Sequence, residues 1–213
     1  MLISDRVGPI CYIVGAGECE PLTFRPEPGD LVIAADGGLT YLRAAGLEPD
    51  VILGDFDSLG EQPEGNVMTF PVEKDETDTF LALRLAAERG YRDVRIYGGL
   101  GGRLDHTLAN VQTLVWAANR GIRARLVGGD VTICALTDGT LEFPPESRGL
   151  ISVFCAGDRA EDIDLCGLKY PLQNDTLTGE FPLGVSNAFL GVPASVTVRR
   201  GTLIVLTDSG RDH

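Results

Sequence analysis

Residues 94–111 read VRIYGGLGGRLDHTLANV. An apolar run of strand character (94–98) meets two glycine pairs, and the pattern then changes period. Leu108, Val111 and Val115 recur at helical spacing on one face, and Gly121 supplies the stop. The order strand, glycine-rich turn, helix belongs to an α/β alternation, and the same alternation recurs upstream. Short apolar runs fall at 10–14 (ICYIV), 31–35 (LVIAA), 50–53 (DVIL), 67–70 (VMTF) and 124–127 (ARLV). Unbroken runs of this kind suit strands covered on both faces. Two further helices are expected between them. One lies near 37–45 and is stopped by Gly46; the other spans 77–89, carries Leu81 and Leu85 at i, i+4, and is stopped by Gly90. The expected fold is α/β with a mostly parallel sheet.

After Asp130 the character changes. VTICAL, GTLEF, LISVFCA, DIDLCG, ASVTV and GTLIVL are short β-type runs separated by Gly, Pro, Asp and Asn, with no helical period among them. Residues 1–129 are therefore expected to form the α/β domain, and 130–213 a smaller all-β sandwich.

The 213-residue chain is long enough to bury a sizeable core. Its formal charge of −13 argues against nucleic acid or an anionic membrane as partner. No apolar run approaches the roughly 20 residues that cross a bilayer. The start, MLISDRVGPICYIVGAGE, lacks a basic leader followed by a small-residue cleavage site, so no signal peptide is expected. Five cysteines form an odd set with neither disulfide nor zinc spacing. Cys11, Cys134 and Cys155 lie in apolar runs as core thiols, and a reducing cytoplasm is the expected compartment. Trp116, the only tryptophan, reads as core as well.

Carboxylates collect in one register. Asp36 follows LVIAA; Asp55 and Asp57 follow DVILG; Asp75 and Asp78 follow VMTFPVEK and open a helix; Asp105 opens the next. All sit at the carboxyl ends of expected parallel strands, where open α/β sheets bind ligands. Each alone has an ordinary reading, because Asp is a preferred helix cap and turn residue. Together they make a charged edge. Two carboxylates about 6 Å apart repel by roughly 3 kcal/mol at an effective dielectric near 20, so the cluster either protonates a member or holds a cation. Oxygen donors without His or Cys favour Mg²⁺. The loop GGLGGR (98–103) offers the backbone N–H groups of residues such as Gly101, and the guanidinium of Arg103, to a phosphate. It is neither GxGxxG in register nor a P-loop. The residues by themselves indicate a Mg²⁺-dependent enzyme acting on a phosphorylated substrate.

ADGG (35–38), GDFDS (54–58), KDETD (74–78) and GGLGGRLDHTLANV (98–111), in this order and spacing, resemble the thiamine pyrophosphokinase family. GLKYPLQNDTL (167–177) and GVSNAF (184–189) resemble that family's β-domain signatures, so the likeness covers about residues 10 to 206. The resemblance implies a homodimer with active sites between subunits. It implies the transfer of a diphosphoryl group from ATP to thiamine, giving thiamine diphosphate and AMP. Carried over residue by residue, Asp55, Asp57 and Asp78 are the expected Mg²⁺ ligands. Asp36, Gly37, Lys74, Asp75, Thr77, Gly101 and Arg103 are the expected ATP-side residues. Arg103, Asp78 and Asp105 are the expected catalytic groups, with either aspartate as proton acceptor. Ser186 and Asn187 are expected in the thiamine pocket. Many members carry an acidic residue after Ser-Asn, where this chain has Ala188. Two other readings stand beside this one: an Asp-dependent phosphohydrolase, suggested by DFDS, and a non-catalytic thiamine or nucleotide sensor, suggested by Ala188.

Overall fold

The structure is a computed structural model that describes residues 6, 8–19, 21–54, 67–69 and 76–210. The chain folds as two compact units. One comprises Arg6–Thr113 with Ile122–Gly129; the other comprises Leu114–Gly121 with the described residues from Asp130 on.

Among the described residues the first unit has six strands: β1 (Ile10–Val14), β2 (Leu31–Ala35), β3 (Val51–Gly54), β4 (Val67–Thr69), β5 (Asp93–Tyr97) and β6 (Arg123–Gly128). Every pairing among them is parallel, in the spatial order β4-β3-β2-β1-β5-β6. The chain builds outward from β1 in one direction and then returns to its other side, so the switch point lies between β1 and β5.

Helix α1 (Gly38–Ala44) contributes Leu39 and Leu42 to a buried cluster on one sheet face, with Ile10, Tyr12, Val14, Val32, Ala34 and Ile52. Phe24 stacks on Tyr12 at 4.2 Å in the same layer. Helix α2 (Asp78–Glu88) packs across β1, β2, β3 and β5 and contributes nothing to that cluster, so it covers the opposite face. Strands covered on both sides are the reason the apolar runs are continuous rather than alternating.

The glycine stops act as expected. Gly46 (φ 68°) and Gly90 (φ 88°) each end a helix with a paired closure. Gly46 N–H donates to Arg43 O and Leu47 N–H to Leu42 O; Gly90 N–H donates to Ala87 O and Tyr91 N–H to Ala86 O. This is the Schellman arrangement, which needs the left-handed conformation that glycine adopts without strain.

Helix α3 (Leu104–Ala118) turns a different face inward from the one its apolar spacing suggests. Asn110, Thr113, Leu114 and Ala117 are buried, whereas Leu108 is 59% exposed. On that inward face Asn110 Nδ2 donates to the carbonyl of Gly99 at 2.8 Å, beside the fully buried Leu114 and Ala117. Trp116 is half-buried rather than core, with the Arg120 guanidinium 4.1 Å from its ring centroid. Cys11 and Cys134 are buried as expected, and burial pushes the Cys11 thiol up; Cys155 is only half-buried.

The second unit contains β7 (Val131–Phe143), β8 (Leu150–Cys155), β9 (Arg159–Cys166), β10 (Leu172–Thr178), β11 (Gly184–Ala188) and β12 (Ala194–Asp208), with antiparallel pairings throughout. VTICAL and GTLEF are one long strand, and so are ASVTV and GTLIVL. Both bend at one place. Asp138 (φ 45°) lies opposite the run from Arg199 to Gly201, and its Oδ1 accepts the Gly201 N–H at 2.8 Å. The bulge lets the first half of β12 pair with β9 and the second half with β8. Residues of β7, β8, β9, β10 and β12 close on one core that includes Ile151, Val153, Ile163, Leu165, Val196 and Leu203. The strands β10 and β11 go beyond what composition suggests, because Gln, Asn, Asp and Ser break the apolar pattern there. The C-terminal end of α3 is tied to this unit through Asn119, whose Oδ1 accepts from both Thr137 and Thr202 hydroxyls at 2.9 Å.

At the amino-terminal edge of the parallel sheet, Asp93 is fully buried and accepts from Arg123 at 2.7 Å and Arg125 at 3.3 Å. Breaking a buried pair leaves uncompensated charge, so Asp93→Ala is expected to lower stability by about 3–5 kcal/mol. Urea denaturation should show the loss as a shifted midpoint with an unchanged slope.

Candidate functional site

The carboxyl edge of the parallel sheet is organised around two loops that cross at the switch point. Gly15 N–H donates to Tyr97 O at 2.8 Å, and Gly17 N–H donates to Gly98 O at 2.8 Å. Glu18 and Leu100 add an antiparallel bridge. The approach excludes side chains: a Cβ on Gly17 would lie 2.6 Å from Gly98 O, and one on Gly98 would lie 2.5 Å from Gly15 O. Only glycine permits backbones this close. The glycines of GAGE thus serve a loop crossing, which explains why they do not continue into a dinucleotide-binding fingerprint.

The loop after β2 joins the same edge. Asp36 adopts a left-handed φ of 51°, and its N–H donates to Leu53 O at 2.7 Å, which ties it to the end of β3. Gly37 follows as the N-cap of α1, and a Cβ there would lie 3.2 Å from Ala16 Cβ. Gly37 therefore sits against the β1 loop, and Asp36 against the end of β3. A left-handed non-glycine residue at a loop that faces the ligand end is the kind of local strain found at binding sites.

Thr77 caps α2 through its hydroxyl, which accepts the Phe80 N–H at 3.3 Å, and Asp78 occupies the first turn, where a negative charge suits the helix dipole. Arg84 pairs with Glu76 at 2.6 Å, holding the entry to α2 against its own helix. Asp55, Asp57, Lys74 and Asp75 lie outside the described residues. Among the described residues no group of three or more His, Cys, Asp or Glu forms a metal cluster. Of the expected Mg²⁺ ligands only Asp78 is described. It is half-buried at a helix start on the ligand edge, and its carboxylate is a hard oxygen donor, so it fits a hard cation.

The glycine-rich loop carries the cationic group. Gly101 (φ 75°) and Gly102 (φ 63°) turn the chain into α3. Arg103 then pairs bidentately with Asp105: Nε donates to Oδ1 at 3.2 Å and Nη2 donates to Oδ2 at 2.6 Å. This hydrogen bonding holds the Asp105 carboxyl below the usual range, helped by the His106 backbone N–H, and raises Arg103. Two residues expected to meet substrate thus meet each other. Both are exposed to solvent.

In the β unit Ser186 and Asn187 lie on β11, side by side but with opposite environments. Ser186 is exposed, has a left-handed φ of 59°, and donates its N–H to Ser152 Oγ at 3.1 Å. Asn187 is 3% exposed. Its Oδ1 accepts the N–H groups of Tyr170 and Ala188 at 2.9 Å, and its Nδ2 donates to Tyr170 O at 2.6 Å. Asn187 therefore clamps the GLKY segment, while Ser186 presents its side chain outward. The residue that sequence reasoning missed is Glu18: its carboxylate accepts the Gly102 N–H at 3.3 Å. Nothing in the sequence signals it, because the two residues meet only through the loop crossing.

Both parts of the chain have counterparts in known proteins. The family model described as "Thiamin pyrophosphokinase, catalytic domain" matches residues 27–126, and "Thiamin pyrophosphokinase, vitamin B1 binding domain" matches residues 140–203. Thiamine pyrophosphokinase of Bacillus subtilis (strain 168) is 31% identical over 193 residues, covering 87% of this chain and 90% of that protein. The crystal structure of thiamine pyrophosphokinase from Bacillus subtilis superimposes with a TM-score of 0.85 at 30% identity, over 95% of this chain and 100% of that one. Thiamin pyrophosphokinase from Geobacillus thermodenitrificans gives a TM-score of 0.80 at 27% identity, over 94% and 97%.

Two measurements check this geometry. In Arg103→Gln the Asp105 carboxyl should titrate at higher pH than in the wild type, as read by carboxyl ¹³C NMR. Because the folded-state value is depressed, the pair stabilises above the ordinary Asp range and its contribution disappears as pH falls through the depressed value. Separately, Gly98→Ala should cost at least about 2 kcal/mol in a denaturation experiment, from its left-handed φ and the contact with Gly15.

Proposed function

The chain belongs to the thiamin pyrophosphokinase family, and from that premise we propose how its residues divide the work of moving a diphosphoryl group from ATP to the hydroxyl of thiamine, with AMP as the other product. The observation that carries the reading is the convergence of Asp36, Asp78 and the Gly101–Asp105 loop on the carboxyl edge of one parallel sheet, beside its switch point.

Residues 1–129 are read as the α/β catalytic domain and 130–213 as the β domain that supplies the thiamine pocket. ATP lies along the Asp36–Gly37 turn and the glycine-rich loop, with Lys74, Asp75 and Thr77 on its phosphate side. Transfer of this kind asks the protein mainly for positioning and charge stabilisation. Arg103 presents a planar fork of donors to phosphate oxygens. The bidentate contact supports assigning Asp105 to orient that fork. Asp78, at the start of α2 on the same edge, is then assigned to accept the proton of the thiamine hydroxyl. Asp55, Asp57 and Asp78 would hold Mg²⁺, which when bound neutralises polyphosphate charge. Ser186 faces the thiamine, and Asn187 holds the GLKY segment in place beside it.

The same reading makes the protein a cytoplasmic homodimer with active sites at the subunit interface. The apolar side chains of Leu104, Leu108, Phe181 and Leu183 stand exposed on the single chain and support a second copy as their cover. No described helix is long and apolar enough to cross a membrane.

Release of AMP should require both thiamine and Mg²⁺, and chelation should abolish it. Asp57→Asn should fold with an unchanged melting curve yet lose turnover by about a hundredfold or more. Near-normal turnover of that variant at saturating Mg²⁺ would remove the metal assignment. Inorganic phosphate released from a monoester, or thiamine binding without AMP, would favour hydrolase or sensor readings instead.

A further inference from the structure

We propose that Glu18 sets the affinity for ATP, by holding the phosphate-binding turn with its own carboxylate and competing there with the nucleotide. The proposal rests on assigning the glycine-rich loop to the phosphates of ATP. Gly102 N–H donates to Glu18 Oε1 at 3.3 Å. A Cβ on Gly101 would lie 2.7 Å from Glu18 Oε2 and 2.9 Å from Glu18 Cβ, so the side chain lies flat over the turn in space that glycine leaves open. Its position is imposed by the backbone. The Glu18–Leu100 bridge and the Gly17 N–H to Gly98 O bond zip the GAGE segment onto the loop, and Glu18 follows directly.

A carboxylate and a phosphate present the same chemistry to such a turn: anionic oxygens that accept from backbone N–H groups. Two donors of the loop are engaged by the chain's own acids. Gly102 N–H is held by Glu18, and the Arg103 fork is held by Asp105. A polyphosphate brings more charge and more oxygens than one carboxylate and displaces Glu18 from the turn. The tether remains, because the backbone ladder that carries Glu18 is untouched. The displaced carboxylate stays beside the bound phosphates and repels them. Glu18 therefore weakens the grip on ATP and eases release of the charged product, without touching the reacting atoms.

The test uses the full-length chain, with ATP as the probe, measured by calorimetry in the absence of thiamine and by steady-state AMP release in its presence. Glu18→Gln keeps the shape and an acceptor but removes the charge. The Kd and KM for ATP should both fall by about three- to tenfold, the scale of one unit charge a few ångströms from a phosphate in solvent. The KM for thiamine should not move. Glu146→Gln, which removes the same charge from an exposed loop of the β unit, should leave both ATP constants unchanged. That control separates a local effect from the general lowering of a −13 charge. An unchanged or weakened ATP affinity in Glu18→Gln overturns the proposal; weakening would make Glu18 a contact that supports the nucleotide. A wild-type chain that binds no ATP overturns the loop assignment and the proposal together. A wild type that binds ATP beside an unaltered Glu18→Gln overturns the proposal alone.

Discussion

The first unit depends on a pair of backbone hydrogen bonds between segments about eighty residues apart in sequence: Gly15 N–H to Tyr97 O and Gly17 N–H to Gly98 O. At this crossing a Cβ on Gly17 or Gly98 would run into the opposing carbonyl, so the two loops need glycine there. Once they meet, the switch point of the sheet has a rigid floor. The Asp36–Gly37 turn rests on Ala16, and the turn into α3 follows from Gly98 onward. A crevice built from backbone contacts keeps its shape while the charged side chains around it exchange partners.

The β unit follows a different logic, in which side chains clamp the backbone. Asp138 accepts the Gly201 N–H and fixes the bulge that lets β12 serve two neighbours. Asn187 spends its whole amide on the backbone around Tyr170 and Ala188. Asp164 accepts from Asn174 N–H and from Arg199, joining β9 to β10 and β12. Polar residues in these strands are connectors rather than interruptions, because each accepts a backbone N–H at a bulge or from a neighbouring segment.

Much of the fold was legible. The β-branched runs at 10–14 and 31–35 coincide with their strands, and Gly46, Gly90 and Gly121 end their helices because the left-handed C-terminal closure is a local requirement of backbone sterics. Period and polarity misled where a polar side chain had a tertiary task. Asn110 takes an inward position on α3 and bonds Gly99, while Leu108 faces outward against the apolar pattern. β10 and β11 are absent from the apolar β-type runs because Asn174, Asp175 and Asn187 are poor strand formers in isolation. Among the site residues, the position of each described aspartate at a strand's carboxyl end was readable, because it follows from element order alone.

The sequence by itself determined the α/β order of the first unit, the places of Asp36, Asp78 and Asp105 after its strands, and the motif set of the family. These depend on local sterics and on spacing along the chain. Only the tertiary structure decided which of those groups face each other. Arg103 pairs with Asp105, Asn187 is buried while its neighbour Ser186 is exposed, and Glu18 lies on Gly101 and Gly102. The contact that places Glu18 joins segments far apart in sequence. No periodicity records it, because what brings it about is the closeness of two glycine backbones.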